Sequence, residues 1–405
     1  MSRLFSGKGI NVKIKSIRAV VADVSAKPTT KPRVEQIPHD PGFVSPMERY
    51  TEFTRHDWTN KLGKVLVIAE AEDGTWGLGM ANHGAPVVSV INDHFAPLLE
   101  GQDAMAIDKC WDMMRRASSA YGTYGIASYA ISGVDTALWD LKGKLLGIPV
   151  YELLGGPQKE EIYCYGSNVD QSYGYRNSIE WFLELGFTAV KLFLRNGPVK
   201  GIRGINEDIE QIAWTRERVG DDVEIMVDAW MSLDVEYAVR LAEELKPYRV
   251  KWLEDPLLPE DMGGYRKLRS RVPSTVLATG EHWYTLHPFA EAASEGLIDI
   301  FQPDILWVGG VSAVVRICHI AEAHGLNVIT HAGMNYPYGQ HVAMAMPAIP
   351  MGERSEGVAP PGVPLEEMVA IPGTVPIKNG HVRPTDAPGF GFEVTKEWVE
   401  ERARR

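Results

Sequence analysis

The sequence predicts an α/β protein built as a modified (β/α)8 barrel with an α+β capping domain, and three observations carry that expectation. From about Glu161 onward, short β-rich apolar runs alternate with amphipathic stretches, the pattern of βαβ units on a parallel sheet. A βα unit takes about 25 to 31 residues, and eight such units over roughly 200 to 250 residues suggest a closed barrel. The segment before them reads differently, as a hairpin followed by helices.

A chain of 405 residues exceeds the usual single-domain size, so two lobes are expected. We place the cap at residues 1–135, completed by 375–405, and the barrel at residues 136–374. Hydrophobic residues at 45% and charged residues at 23% suit a globular protein with a substantial core. A net charge of −12 without any basic cluster excludes a nucleic-acid surface. The start, MSRLFSGKGINVKIKSIRAV, lacks the apolar stretch of a signal peptide, and no run of about 18 apolar residues suggests a membrane span. A cytoplasmic protein without a membrane partner is therefore expected. Cys110, Cys164 and Cys318 lie far apart with no C-x-x-C spacing, which rules out a cysteine zinc site and gives no disulfide framework.

In chain order, residues 26–45 are rich in Pro and Lys without periodicity and read as a flexible flap. VLVIAEAEDGTWGLGMA reads as a hairpin with Asp73-Gly74 at its turn, and helical stretches follow to Leu145. Seven barrel strands come next: EIYCYGSN, TAVKLFL, EIMVDAW, VKWLEDP, TVLATGEH, IDIFQPD and NVITHAG, with PAIPMGER, Pro347 to Arg354, as the eighth. Between them, Val235, Ala238, Val239 and Ala242 repeat at helical spacing before Pro247. Val314, Ile317, Cys318 and Ala321 repeat the pattern, with Gly325 placed to end that helix. An open dinucleotide-binding sheet is the alternative, but GIRGINE lacks the glycine spacing of a phosphate turn and does not follow a strand. PGFGFEVTKEW returns at the end to complete the cap.

The middle strands end in carboxylates. Asp228 closes EIMVDAW, Glu254 closes VKWLEDP and Glu281 sits in TVLATGEH, at separations of 254 − 228 = 26 and 281 − 254 = 27. One acid thus reaches the same barrel rim from each of three consecutive strands. A single acid at a strand end serves equally well as a helix cap. Three together repel unless a cation sits between them, and an all-oxygen donor set without cysteine suits Mg²⁺, with Mn²⁺ second. IDIFQPD ends in Asp304, and NVITHAG carries His331 one unit later, at 331 − 304 = 27. An Asp beside a His sets the imidazole's tautomer and raises its basicity, as a general base requires. Lys191 in TAVKLFL stands on the opposite wall as a Schiff-base nucleophile, an acid/base or a counter-charge to the acids. Glu353, after the eighth strand, is a candidate to hold a substrate carboxylate oxygen, or is a solvated loop residue.

ISGVDTALWDLKGKLLGIPVYELLGG, Ile131 to Gly156, together with Asp228, Glu254 and Glu281, resembles the mandelate racemase branch of the enolase superfamily over nearly the whole chain. Within that branch, VDAWMSLDVEYA, TGEH, DIFQPDILWVGGV, VKLFLRNGP and PGFGFEV are similar to the rhamnonate-type acid-sugar dehydratases. The resemblance implies Mg²⁺ on the three acids and His331 with Asp304 as a catalytic dyad. It also implies a sugar-acid substrate and a homo-oligomer, often an octamer. By the same resemblance His331 takes the C2 proton, and Mg²⁺ with Lys191 stabilises an ene-diolate. The 3-hydroxyl then leaves to give a 2-keto-3-deoxy acid, with His282 as a helper. Arg55, in TRHDW, and His39, in IPHDPGF, fall where capping loops of such relatives hold distal hydroxyls.

Two departures stand out. Many members carry a second catalytic lysine where this chain has Phe193, and its loss argues against a racemase with a base on each face. HAGMNYPYG replaces the Gly-Ser-Ser that follows the dyad histidine in the rhamnonate enzymes, so the expected substrate is L-rhamnonate or a related aldonate such as L-lyxonate or L-mannonate. An epimerase of the same branch, an aldolase forming a Schiff base at Lys191, and a non-catalytic barrel that binds a sugar acid are the competing readings.

Overall fold

The structure is a computed structural model that describes residues 12–38 and 42–404. Strands β1 (Ile14–Ala22), β2 (Lys64–Ala71) and β3 (Trp76–Ala81) pair antiparallel in that order. β2 and β3 are the arms of the expected hairpin. Gly74 N–H donates to Ala71 O at 3.0 Å across its turn, with Gly74 at φ +86°, a conformation open to glycine at no steric cost.

The long helix Ile126–Leu146 packs on this sheet at backbone distance. Gly77 and Gly79 alternate along β3 and so share its helix-facing side. A Cβ added at Gly77 would lie 2.1 Å from Ala137 O, and one at Gly79 would lie 2.0 Å from Gly133 O. Two buried aspartates of the helix secure it further. Asp140 accepts from Leu78 N–H of β3 and from Phe390 N–H of the C-terminal segment, both at 2.8 Å. Asp135 accepts from the Ser312 N–H at 3.0 Å and its hydroxyl at 2.6 Å, at the start of the helix Gly310–Ala323. One helix thereby fastens the small sheet, the C-terminal segment and the barrel to each other.

The barrel strands are β4 (Ile162–Ser167), β5 (Ala189–Phe193), β6 (Glu224–Asp228), β7 (Leu253–Glu254), β8 (Leu277–Thr279), β9 (Ile300–Phe301), β10 (Asn327–Val328) and β11 (Gly352–Arg354), each inside the run expected for it. All eight are parallel and β4 to β10 are neighbours in sequence order, while the last, β11, pairs with the first, β4. The seam between β10 and β11 is bridged by Val328 N–H donating to Ala348 O at 2.9 Å. A short strand β12 (His381–Val382) adds antiparallel to β4. In the helix Gly310–Ala323 the four expected positions, Val314, Ile317, Cys318 and Ala321, are all buried. In Val235–Leu245 the buried face is turned from the expected one: Ala238 and Ala242 are buried, Val235 and Val239 only half, and Tyr237, Leu241 and Leu245 complete it.

Residues 26–38 and 42–45 are irregular, as their composition predicts, yet they are tied down. Glu367 accepts from the backbone and hydroxyls of Thr29 and Thr30, Arg33 N–H donates to Pro361 O and Ile37 N–H to Ser172 O. The three cysteines are buried and unbridged. Among the described residues, no helix is long and apolar enough to cross a membrane.

Gly79→Ala is expected to lower the free energy of unfolding by about 2–3 kcal/mol, read as an earlier urea midpoint, because the methyl must displace helix backbone. Asp135 gives a pH signature. Burial lifts its carboxyl from 3.8 to about 7 against its Ser312 bonds, so the folded chain holds this proton more tightly than the unfolded one. The stability it contributes is therefore present below about pH 4 and is lost as pH rises to about 7. Denaturation midpoints measured at about pH 4.5 and 7.5 should differ less in Asp135→Asn than in the native chain.

Candidate active site

The barrel's interior is layered, and the layering follows from the two-residue period of a strand. A separate apolar cluster takes one residue from each strand or its immediate flank: Tyr165, Ala189, Met226, Trp252, Ala278, Ile300, Ile329 and Met351. Two residues further along, the same faces of β5, β6 and β7 carry Lys191, Asp228 and Glu254. His331 and Glu353 follow Ile329 and Met351 at the same interval. A polar layer thus rests on an apolar one. Glu281 is offset by a residue, three after Ala278. Gly280 between them has φ +131°, and a Cβ there would meet the Phe289 ring at 2.8 Å. Only glycine allows the chain to turn there and aim Glu281 inward.

Lys191 is fully buried, with Nζ 3.1 Å from Asp228 Oδ2, 2.8 Å from Glu353 Oε1 and in contact with Glu254 Oε1. The three carboxylates outnumber the ammonium. Burial, then repulsion from Asp228, pushes the Glu254 carboxyl up to about 8, and burial lifts Asp228 to about 6. Burial also acts on Glu353, but Lys191, His331 and the Ala332 N–H outweigh it and hold that carboxyl near 2. The second oxygen of Glu254 accepts from the Trp252 indole of the apolar layer at 2.8 Å. Asp228 Oδ1 accepts from Trp230 N–H at 2.9 Å, and Glu353 Oε2 from Ala332 N–H at 2.7 Å. Glu353 therefore has both oxygens engaged below the cavity floor. Trp230, Asp255 and Ala332, which follow Asp228 by two and Glu254 and His331 by one, adopt φ of +40°, +41° and +52°, where the chain turns after each strand end.

Glu281 faces the histidines. Its Oε2 lies 3.3 Å from His331 Nε2 and its Oε1 3.2 Å from His282 Nδ1. His331 Nδ1 lies 2.8 Å from Asp304 Oδ2, and Asp304 Oδ1 accepts from Leu306 N–H at 2.6 Å. Burial disfavours the imidazolium, yet Glu281 and Asp304 more than offset it and hold the His331 pKa well above its usual value. Asp255, which the strand-end argument passes over, lies 3.4 Å from His282 Nδ1. Asp255, Glu281 and His282 bring three candidate ligand atoms within 4.8 Å of one another. The Glu-Asp pair in VKWLEDP is the signal that could have found it. The expected metal trio divides, with Asp228 and Glu254 gathered on Lys191 and Glu281 on the histidines.

This donor set fits a hard divalent cation: carboxylate oxygens, all buried, from neighbouring strands, three of them sharing the one Lys191 ammonium.

A cavity of ≈ 320 Å³ opens above, lined by Asp228, Glu281, Asp304 and His331 on one side and by Phe43, Arg55, Phe193 and Trp230 on another. Arg55 stacks its guanidinium over the Phe43 and Trp230 rings, 3.7 and 4.5 Å from their centroids. Burial lowers its pKa to about 10, while Glu281 and Asp228 pull the other way. His282 sits behind this wall, 5.5 Å from the Trp307 ring. His39 lies outside the described residues.

Residues 175–398 match the family described as enolase C-terminal domain-like, and residues 55–155 match the mandelate racemase / muconate lactonizing enzyme N-terminal domain. The chain belongs to the enolase superfamily. Among curated enolase-superfamily relatives, L-rhamnonate dehydratase of Saccharopolyspora erythraea is 38% identical over 364 residues, 88% of this chain and 90% of that protein. Among solved structures, rhamnonate dehydratase from Gibberella zeae complexed with Mg superposes with a TM-score of 0.86 at 29% identity, covering 98% of this chain and 97% of that one. A racemase from Streptomyces coelicolor with bound magnesium gives 0.78 at 25% identity, covering 96% and 100%.

In this enolase-superfamily barrel, Lys191→Met leaves three buried acids without their counter-charge. It should lower the unfolding free energy by about 3–5 kcal/mol in urea titrations, and adding Glu353→Gln should recover part of the loss.

Proposed function

We propose that this chain is a hydro-lyase that removes water from a sugar acid, an aldonate such as L-rhamnonate, L-lyxonate or L-mannonate, to give a 2-keto-3-deoxy acid. The observation that carries the reading is the His331–Asp304 pair at the cavity wall, directly over a cluster of buried acids. Asp304 accepts a hydrogen bond from Nδ1–H and fixes the tautomer, so that in the neutral form of the ring Nε2 is the nitrogen that takes the substrate's C2 proton. Loss of that proton puts negative charge on the substrate carboxylate as an ene-diolate, and the protonated Lys191 supplies part of the compensation from below. Asp228, Glu254 and Glu281 would hold Mg²⁺, with Asp255 beside them as a further oxygen donor. When bound, the ion supplies Lewis-acid stabilisation of the developing charge. Departure of the 3-hydroxyl needs a proton, and His331, which has just gained one, returns it, with His282 behind as a helper. Arg55 stands over the cavity as a cation for the substrate's oxygens.

Two features favour elimination over the alternatives. Phe193 and Phe43 pack ring to ring, 4.4 Å between centroids, on the wall where a second base for racemisation would stand. Lys191 is surrounded by carboxylates that favour its ammonium form, whereas Schiff-base chemistry needs the free amine.

Incubating the enzyme with Mg²⁺ and a panel of aldonates should yield a keto acid trapped by semicarbazide, and EDTA should abolish its formation until Mg²⁺ is restored. His331→Asn should bind the sugar acid comparably but turn over at least about 10³-fold more slowly. Equal turnover in that variant would remove His331 from the chemistry, and epimerised substrate without keto acid would replace dehydration with epimerisation.

A further inference from the structure

The cavity has a second polar group, away from the acids and histidines. Lys64 opens β2 of the small sheet, whereas Tyr336 and Glu356 come from the barrel side, and all three line the cavity. The Lys64 ammonium donates to both Glu356 oxygens at 2.9 Å and to the Tyr336 hydroxyl, which in turn donates to Glu356 Oε2 at 2.6 Å. The barrel half of this group is rigidly seated. Asn335 Oδ1 accepts the Ser355 and Glu356 N–H groups at 3.0 and 3.1 Å, its Nδ2 donates to Ser355 Oγ, and the Arg354 guanidinium clamps the Met334 and Asn335 carbonyls. The segment that departs from the rhamnonate enzymes, HAGMNYPYG, therefore builds a specific wall here.

We propose that Lys64, Tyr336 and Glu356 form the subsite that selects the far end of the substrate, favouring a terminal hydroxyl over a methyl group or a second carboxylate. This rests on the sugar-acid reading above. The three donors of Lys64 are all engaged, while the Glu356 carboxylate accepts three bonds and has capacity for a fourth. Its side chain is 46% exposed, against 23% for Lys64, so the spare acceptor faces open space. A hydroxyl donates to that site, a methyl leaves it unpaired, and a carboxylate meets like charge.

L-mannonate, L-rhamnonate and L-mannarate share C1 to C5 and differ only at C6, as hydroxymethyl, methyl and carboxylate. With the full chain and Mg²⁺, kcat/KM should be at least tenfold higher for L-mannonate than for L-rhamnonate, and lower still for L-mannarate. Glu356→Ala and Lys64→Met should collapse the first ratio to below threefold through KM for L-mannonate. Native preference for L-rhamnonate, or a ratio unchanged in both variants, overturns the proposal. If no panel member yields keto acid, dehydration fails instead, and the subsite is judged by calorimetric Kd values of the three acids in the native chain with Mg²⁺. The same order of affinity supports it and equal affinities overturn it.

Discussion

Buried negative charge in excess of buried positive charge is the condition around which this barrel is organised. Asp228, Glu254 and Glu353 converge on one ammonium, and Glu281 and Asp304 meet the His331 imidazole from either side. Two like charges about 4 Å apart repel by about 4 kcal/mol even at an effective dielectric constant of about 20. Such an arrangement persists because the surrounding strands, each fixed by ladder bonds and by a close-packed apolar layer below, do not let the side chains separate. Rigidity of the scaffold and electrostatic frustration of the site are two sides of one design, and the frustration is what makes the site receptive to a cation.

The strand-end residues are legible in the sequence because β-strands and βα units both have fixed periods. Lys191, Asp228, Glu254 and His331 each follow an inward-facing apolar residue by two, which puts them in one layer. Residues that break the period are harder to read. Glu281 depends on the conformation of Gly280, and Asp255 shares a strand end with Glu254 and reaches the rim only because its own backbone takes a positive φ. The contacts of Lys64 with Tyr336 and Glu356 join positions 272 and 292 residues apart, and no local pattern encodes such a meeting. β1 is similarly quiet, since its burial alternates irregularly along IKSIRAVVA.

The small sheet meets the helix Ile126–Leu146 by direct contact of main chains. Gly77 and Gly79 bring β3 against the helix Ile126–Leu146, and Asp135 and Asp140 convert that approach into hydrogen bonds on both sides. The positions most sensitive to change there are small or acidic, and neither class would be singled out as core by hydrophobicity. The same attachment holds Lys64 in register with the barrel residues it meets across the cavity.

The apolar layer beneath the acids also governs traffic. Eight side chains, from Tyr165 round to Met351, stopper the lower mouth of the barrel. A molecule that reaches the acids comes from the cavity side, so the residues that narrow the cavity also set what can enter.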